Sequence, residues 1–226
     1  KLVKSANLNI TTIEDPIEYD IPGVAQVEVD SAEKVSFGKA LRSVLRHDPD
    51  VLMIGEIRDM DTLSIAVKSA LTGHLVLSTL HTNSAPSAIT RLADMGLERY
   101  MIAATLRLCV AQRLVRKLCA QCRVARPLGL TEAATMGRRD LEGATVYDAG
   151  GCIYCAGRGY VGRIGLFELL AFDSELGVRV TAGDSEAQLA AVTRERKQSS
   201  LMDDAVEKVL AGLTTVREVL QSVMAG

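Results

Sequence analysis

Val51-Leu52-Met53-Ile54-Gly55-Glu56-Ile57-Arg58-Asp59 is the stretch from which the fold is read. Val51 to Ile54 are all apolar, and Val51 and Ile54 are β-branched. Such a run describes a short strand covered on both faces, as in a parallel sheet. Gly55 ends it, and Glu56, Arg58 and Asp59 follow where the strand emerges. In open α/β sheets, ligands sit beyond the carboxyl ends of the strands. A carboxylate there can face Mg²⁺ or an attacking water. On this stretch alone, a polar loop behind a core strand is the simpler description.

The arrangement recurs upstream. Ile10-Thr11-Thr12-Ile13 is β-branched throughout and reads as a strand. Glu14-Asp15-Pro16-Ile17-Glu18-Tyr19-Asp20 follows, and Pro16 cannot continue a central strand, so the acidic cluster belongs to a loop. If the two strands are parallel neighbours, their ends gather several carboxylates in one crevice. A solvated acidic turn is the alternative.

Around these strands, residues 1–9 read as the tail of a helix and Val24 to Val29 as an alternating strand. Ser36 to His47 is an amphipathic helix with Phe37, Leu41, Val44 and Leu45 on one stripe. Asp61 is expected to cap the next helix, which turns Leu63, Ala66, Val67, Ala70 and Leu71 inward and ends at Gly73. Leu75 to Leu77 reads as a second short buried strand, with Ser78, Thr79, His81, Thr82 and Asn83 crowding its end. Beyond Pro86, a helix turns Ile89, Leu92 and Met95 inward and ends at Gly96. A further helix is predicted from about Glu98 to Leu118. Strands alternating with helices specify a parallel α/β sheet. His81 falls at the carboxyl end of its strand, beside the crevice. His74 falls at the other end, where it is expected to position the preceding helix or a neighbouring subunit.

The composition changes after Leu118. Cys119-x-x-Cys122 and Cys152-x-x-Cys155 are separated by 29 residues. Two such knuckles favour a closed tetrahedral Zn²⁺ site over a disulfide framework. The intervening segment, helix-like from about Thr131 to Glu142, is expected to form its own small lobe. Arg116, Lys117 and Arg123 partly offset the thiolate charge, and Cys109 reads as a small core residue on the predicted helix. Val161 to Leu170 reads as extended, and the tail from about Ser185 as helical, most clearly over Leu201–Leu210 and Val216–Val223.

The formal net charge of -2 supplies no basic footprint for nucleic acid. No apolar run approaches a membrane span, and no signal peptide is visible, so a reducing compartment is expected. The first residue is Lys1 rather than Met, as in a piece of a longer chain. The phosphate-loop pattern Gly-x-x-x-x-Gly-Lys-Ser/Thr does not occur: Gly38-Lys39, the one Gly-Lys pair, is followed by Ala40.

Together these motifs resemble the secretion ATPases of type II secretion and type IV pilus assembly. The resemblance runs over essentially all 226 residues. Thr12 to Tyr19 is similar to that family's aspartate box, Val51 to Asp59 to its atypical Walker B motif, and Gly73 to Asn83 to its histidine box. Ala111 to Cys119 and Gly151 to Leu170 are similar to the segments entering and leaving its tetracysteine lobe. Ala120 departs from the Pro often found there.

The resemblance implies a partial RecA-like parallel or mixed sheet core over residues 1–115. A tetracysteine zinc lobe over 116–160 and an extended segment with a helical subdomain over 161–226 would follow. It implies ATP, Mg²⁺ and Zn²⁺ as cofactors. Glu18 would orient or deprotonate the attacking water, Glu56 would hold Mg²⁺ through water, and His81 would sense the γ-phosphate or bridge to a neighbouring subunit. Glu14, Asp15, Arg58, Asp59 and His74 would line the nucleotide side, and Cys119, Cys122, Cys152 and Cys155 would hold zinc. The implied assembly is a homohexamer at the cytoplasmic face of the inner membrane, peripherally attached to platform and adaptor proteins, without nucleic acid. Lacking the phosphate loop, the chain by itself is expected to be inactive. The alternative reading is a non-catalytic zinc-bearing module that docks to a secretion ring or membrane platform.

Overall fold

The computed structural model describes residues 8–29, 36–196 and 198–224; the helix tail expected over 1–9 lies, for residues 1–7, outside them. In chain order the first elements are β1 (Ile10–Glu14), β2 (Ala25–Glu28), α1 (Phe37–Val44), β3 (Val51–Ile54), α2 (Met60–Leu71), β4 (Leu75–Ser78), α3 (Ala85–Asp94) and α4 (Arg99–Thr105). They are followed by β5 (Leu108–Leu118), β6 (Val124–Pro127), α5 (Leu130–Thr135), β7 (Thr145–Asp148) and β8 (Tyr160–Ala171). Helices α6 (Ser174–Ala182), α7 (Glu186–Glu195), α8 (Leu201–Leu210) and α9 (Val216–Val223) close the chain. The chain forms two compact units. One comprises residues 1–82, 88–107 and 172–185; the other comprises 83–87, 108–171 and 186–226.

The first unit is built on a parallel sheet of strand order β2-β1-β3-β4. Ile13, Leu52 and Ile54 are fully buried, and Phe37, Leu41 and Val44 of α1 join them in one cluster. The apolar stripe of α1 therefore does what its spacing requires. Ser36 caps that helix by accepting the Lys39 N–H. Because β1 and β3 are parallel neighbours, with Ile13 opposite Ile54, the segments beginning at Glu14 and Gly55 leave the sheet side by side. The alternation of β with α that predicts a parallel sheet is thus realised.

Several local expectations are corrected. Asp59, not Asp61, caps α2: its carboxylate accepts the Thr62 N–H at 2.7 Å, and Asp61 falls inside the first turn. Leu63, Ala66 and Val67 are buried on α2 as expected, but Leu71 in its last turn is exposed. Strand β4 forms where expected but is not buried. It is the edge of the described sheet, and Leu75 and Leu77 are 46% and 44% exposed, while half-buried Val76 packs on the core.

The largest correction concerns residues 98–118. A helix runs only over α4, and Leu108 to Leu118 form the long strand β5, so Cys109 sits on a strand. Leu, Gln, Arg and Lys all favour helix. Strand pairing overrides them: β5 runs antiparallel to β8, from Leu108 opposite Ala171 to Leu118 opposite Tyr160. Cys109, Ala111 and Val115 turn inward, and Leu108, Val110 and Leu114 outward, with the period of two that a strand imposes. The segment expected to be helix-like over Thr131–Glu142 is shorter, with α5 followed by a single 3-10 turn at Arg139–Leu141.

In the second unit, α8 packs on β8 and β7, and α9 packs on β5. Between the two cysteine knuckles, β6 and β7 form an antiparallel pair with α5 between them. That segment is tied to the tail: Arg123 Nη1 donates to the Gly212 carbonyl at 2.6 Å, and the Leu118 N–H to Leu213 at 2.8 Å.

Candidate functional site

Beyond the ends of β1 and β3, the chain gathers a carboxylate, a guanidinium and an imidazole. The Gly55 N–H donates to the Ile13 carbonyl at 2.8 Å, and a Cβ at this position would stand only 3.2 Å from that oxygen. Glycine thus lets the chain turn immediately after the buried strand, and Glu56 follows. Its side chain is 15% exposed. Arg58 Nη2 pairs with Oε1, and His81 Nε2 lies 3.1 Å from Oε2. Because an ionised carboxylate only accepts, Nε2 is the donor in this contact. The Arg58 hydrogen bond is the strongest influence on Glu56 and lowers its pKa; partial burial works against it, and His81 adds to the lowering. Glu56 is therefore ionised at neutral pH. Arg58 is in turn held charged chiefly by Glu56, with Asp15 contributing through space. Asp15, Glu56, Arg58 and His81 thus share one electrostatic neighbourhood.

The other predicted residues make contacts of their own. Glu14 Oε1 accepts from Thr12 Oγ1 at 2.5 Å and from Gln26 Nε2 at 2.9 Å, so it is turned to the neighbouring strand. Glu18 is exposed, on the loop after β1 that contains the cis Asp15-Pro16 bond. That loop is fastened on either side of Glu18: the Ile17 N–H donates to Glu28 at 3.1 Å, and Gln26 Nε2 to the Tyr19 carbonyl at 3.0 Å. Gln26 and Glu28 are the polar positions in the alternation of β2, and only the fold shows that they hold this loop. Asp59 caps α2, as described above. His74 sits at the opposite end of β4 from His81; its Nδ1 lies 3.0 Å from the Ser69 carbonyl and 3.2 Å from Thr72 Oγ1, at the end of α2.

The second constellation is the cysteine cluster. The sulfurs of Cys119, Cys122, Cys152 and Cys155 all lie within 4.8 Å of one another. Cys119–Cys152 and Cys122–Cys155 are each 3.8 Å apart, and Cys152–Cys155 3.7 Å. A tetrahedron of thiolates around a metal at the usual Zn–S length has sulfurs about 3.8 Å apart. The donor set and its spacing therefore fit a closed structural metal site. Two glycines let the knuckles approach. A Cβ on Gly150 would stand 2.1 Å from the Cys122 carbonyl oxygen, and Gly159, at φ +74, 2.6 Å from the Gly150 oxygen. The Cys152 and Gly159 N–H groups donate to Cys155 Sγ at 3.3 and 3.1 Å, and these bonds bring its thiol down to about 6. Desolvation pushes Cys122 up to about 12. Coordination deprotonates thiols outright, so a cation would override that difference. Cys109 is outside the cluster, and burial raises its thiol to about 11.

With its parallel sheet and four-cysteine cluster, the chain has the α/β fold of RecA-like secretion ATPases. The chain belongs to the type II/IV secretion system protein family, whose model matches residues 1–221. It is 44% identical to the type IV pilus assembly ATPase PilB of Thermus thermophilus, over 97% of this chain and 25% of that protein. It is 43% identical to the type II secretion system protein E of Aeromonas hydrophila, over 97% of this chain and 44% of that protein. The chain thus spans less than half the length of these curated relatives. Among solved structures, the pilus retraction motor PilT with bound ADP superposes with a TM-score of 0.68 at 28% identity, over 95% of this chain and 52% of that one. The Legionella pneumophila ATPase DotB, at 24% identity and a TM-score of 0.66, shares the fold. Among the described residues, no helix is long and apolar enough to cross a membrane.

Proposed function

We propose that this chain is part of an ATP-hydrolysing motor subunit that powers type II secretion or type IV pilus assembly. The observation that carries the reading is the cluster of Glu56 with Arg58 and His81 beyond the end of β3. Similarity to PilB and to type II secretion system protein E over nearly the whole chain supports it.

In this reading Glu56, ionised and only slightly exposed, would hold Mg²⁺ through water, its carboxylate accepting hydrogen bonds rather than ligating directly. Mg²⁺, when bound with ATP, neutralises charge on the transferring phosphoryl group. Glu18 takes the proton of the attacking water or orients it, on a loop fastened at Ile17 and Tyr19. His81 reports the state of the γ-phosphate side to Glu56 or to a neighbouring subunit. Asp15 and Arg58 set the local charge, and Glu14, Asp59 and His74 brace the surrounding elements. The four cysteines would hold one Zn²⁺ and so close the lobe over 116–160, which in the sequence follows the core over 1–115 and precedes the tail over 161–226. The motor works as a homohexamer at the cytoplasmic face of the inner membrane, against platform and adaptor proteins. The 226 residues contain no phosphate-loop pattern, the element that cradles the phosphates in such enzymes.

Glu56→Gln tests the reading, since it keeps shape and removes charge. In the natural full-length protein it should lower turnover by about 100-fold or more, with ATP binding kept within about threefold. Near-normal turnover removes Glu56 from the mechanism.

A further inference from the structure

Thr79 follows the last residue of β4 and stands two residues before His81. The regular pairing of β3 with β4 ends at Ile54 opposite Ser78. Thr79 continues it by other means. Its hydroxyl donates to the Gly55 carbonyl at 2.5 Å, and its own carbonyl accepts the Ile57 N–H at 3.2 Å. The Gly55 carbonyl belongs to the peptide group before the Glu56 Cα, and the Ile57 N–H to the one after it. Both peptide groups that flank Glu56 are therefore bonded to one residue. The Gly55 N–H is held from the other side by Ile13 at 2.8 Å.

We propose that Thr79 is a positioning residue for Glu56. Held at three points, the Gly55-Glu56-Ile57 backbone leaves the carboxylate with little but its own side-chain torsions to vary. The same residue leads into the turn that presents His81, where the Thr82 N–H donates to Leu80 at 3.1 Å. Thr79 thus sets the separation over which His81 Nε2 meets Glu56 Oε2. The hydroxyl is the removable half of the clamp; the carbonyl remains in any substitution, but without the hydroxyl bond beside it the bond to Ile57 opens more often. A reacting group displaced by about 1 Å can lose about 100-fold in rate, so a loosened Glu56 should cost turnover rather than substrate binding.

The inference rests on the reading of Glu56 as a group that acts in ATP hydrolysis, and its test keeps the two apart. Thr79→Val preserves size and β-branching and deletes the hydroxyl. In the natural full-length protein it should lower kcat by about 10- to 100-fold while KM for ATP stays within about twofold. Thr79→Ser, which restores the donor, should recover most of that loss. Independently of activity, the Ile57 amide should exchange its hydrogen about tenfold faster in Thr79→Val than in the native protein, because its partner loop is freed. Should Thr79→Val not fold, Thr79→Ala is measured in its place with the same expectations. The clamp is overturned if Thr79→Val matches native turnover while Glu56→Gln is inactive, or if Ile57 exchange is unchanged. If Glu56→Gln turns over normally, the reading of Glu56 fails, and the clamp then stands or falls on the exchange rate alone.

Discussion

Asp59 stands one residue from Arg58 and three from Glu56, yet its carboxylate turns away to accept the Thr62 N–H. At the residue scale this separates two kinds of acid that look alike in sequence. A capping oxygen satisfies a helix N–H that has no partner of its own. Removing it by Asp59→Ala should cost about 1 kcal/mol of stability, read as a lowered midpoint in a denaturant or thermal melt. Asp59→Asn keeps the acceptor and should restore most of it, although the charge is gone. If Asn and Ala lower the midpoint equally, the cap is not the role of this residue. Glu56 and His81 were legible as candidates because each stands just beyond an apolar strand. Their mutual contact was not, since 25 residues separate them and only the parallel pairing of β3 with β4 closes the gap. The same holds for the Thr79 hydroxyl, which in sequence is one polar side chain among several.

At the scale of elements, β5 is the instructive case. Its residues favour helix, as their local propensity alone predicts. The antiparallel partner β8 lies more than forty residues downstream, beyond the cysteine lobe, and local propensity carries no knowledge of it. β5 is also fastened to α9. Glu218, with a side chain only 10% exposed, accepts Arg116 Nη2 at 2.5 Å and the Arg116 backbone N–H at 3.1 Å. The Arg116 guanidinium is the main cause of a lowered Glu218 pKa. A carboxylate whose pKa falls on folding adds stability that is fully present above its ordinary value, here 4.5, and is lost as pH drops through the lower folded value. Acid melts should therefore show a loss of stability below about pH 4.5 that Glu218→Gln reduces. At neutral pH the same substitution should cost about 1 to 2 kcal/mol. An unchanged acid profile in Glu218→Gln would place that loss on other carboxylates.

For the whole molecule, the four cysteines matter most, because they join β5, which precedes them, to β8, which follows. A closed thiolate site contributes directly to folding free energy. Metal analysis of gently purified protein should find about one zinc per chain. Stripping it with a strong chelator should lower the unfolding midpoint by about 10 °C or more. A content below about a tenth of an equivalent, or a shift under about 2 °C, would remove zinc from the account.

By itself the sequence determined the parallel α/β core, the positions of the strand ends and the grouping of four cysteines. Each of these is written in short-range signals: apolar runs of four residues, a glycine or proline that stops them, and paired knuckles. The tertiary structure alone decided three things. It put Leu75 to Ser78 at the edge of the described sheet, turned a helix-favouring segment into β5, and brought Arg58, His81 and Thr79 to Glu56. Those outcomes depend on which distant segment supplies the partner, and a hydrogen bond or ion pair between remote residues leaves no periodic trace along either one.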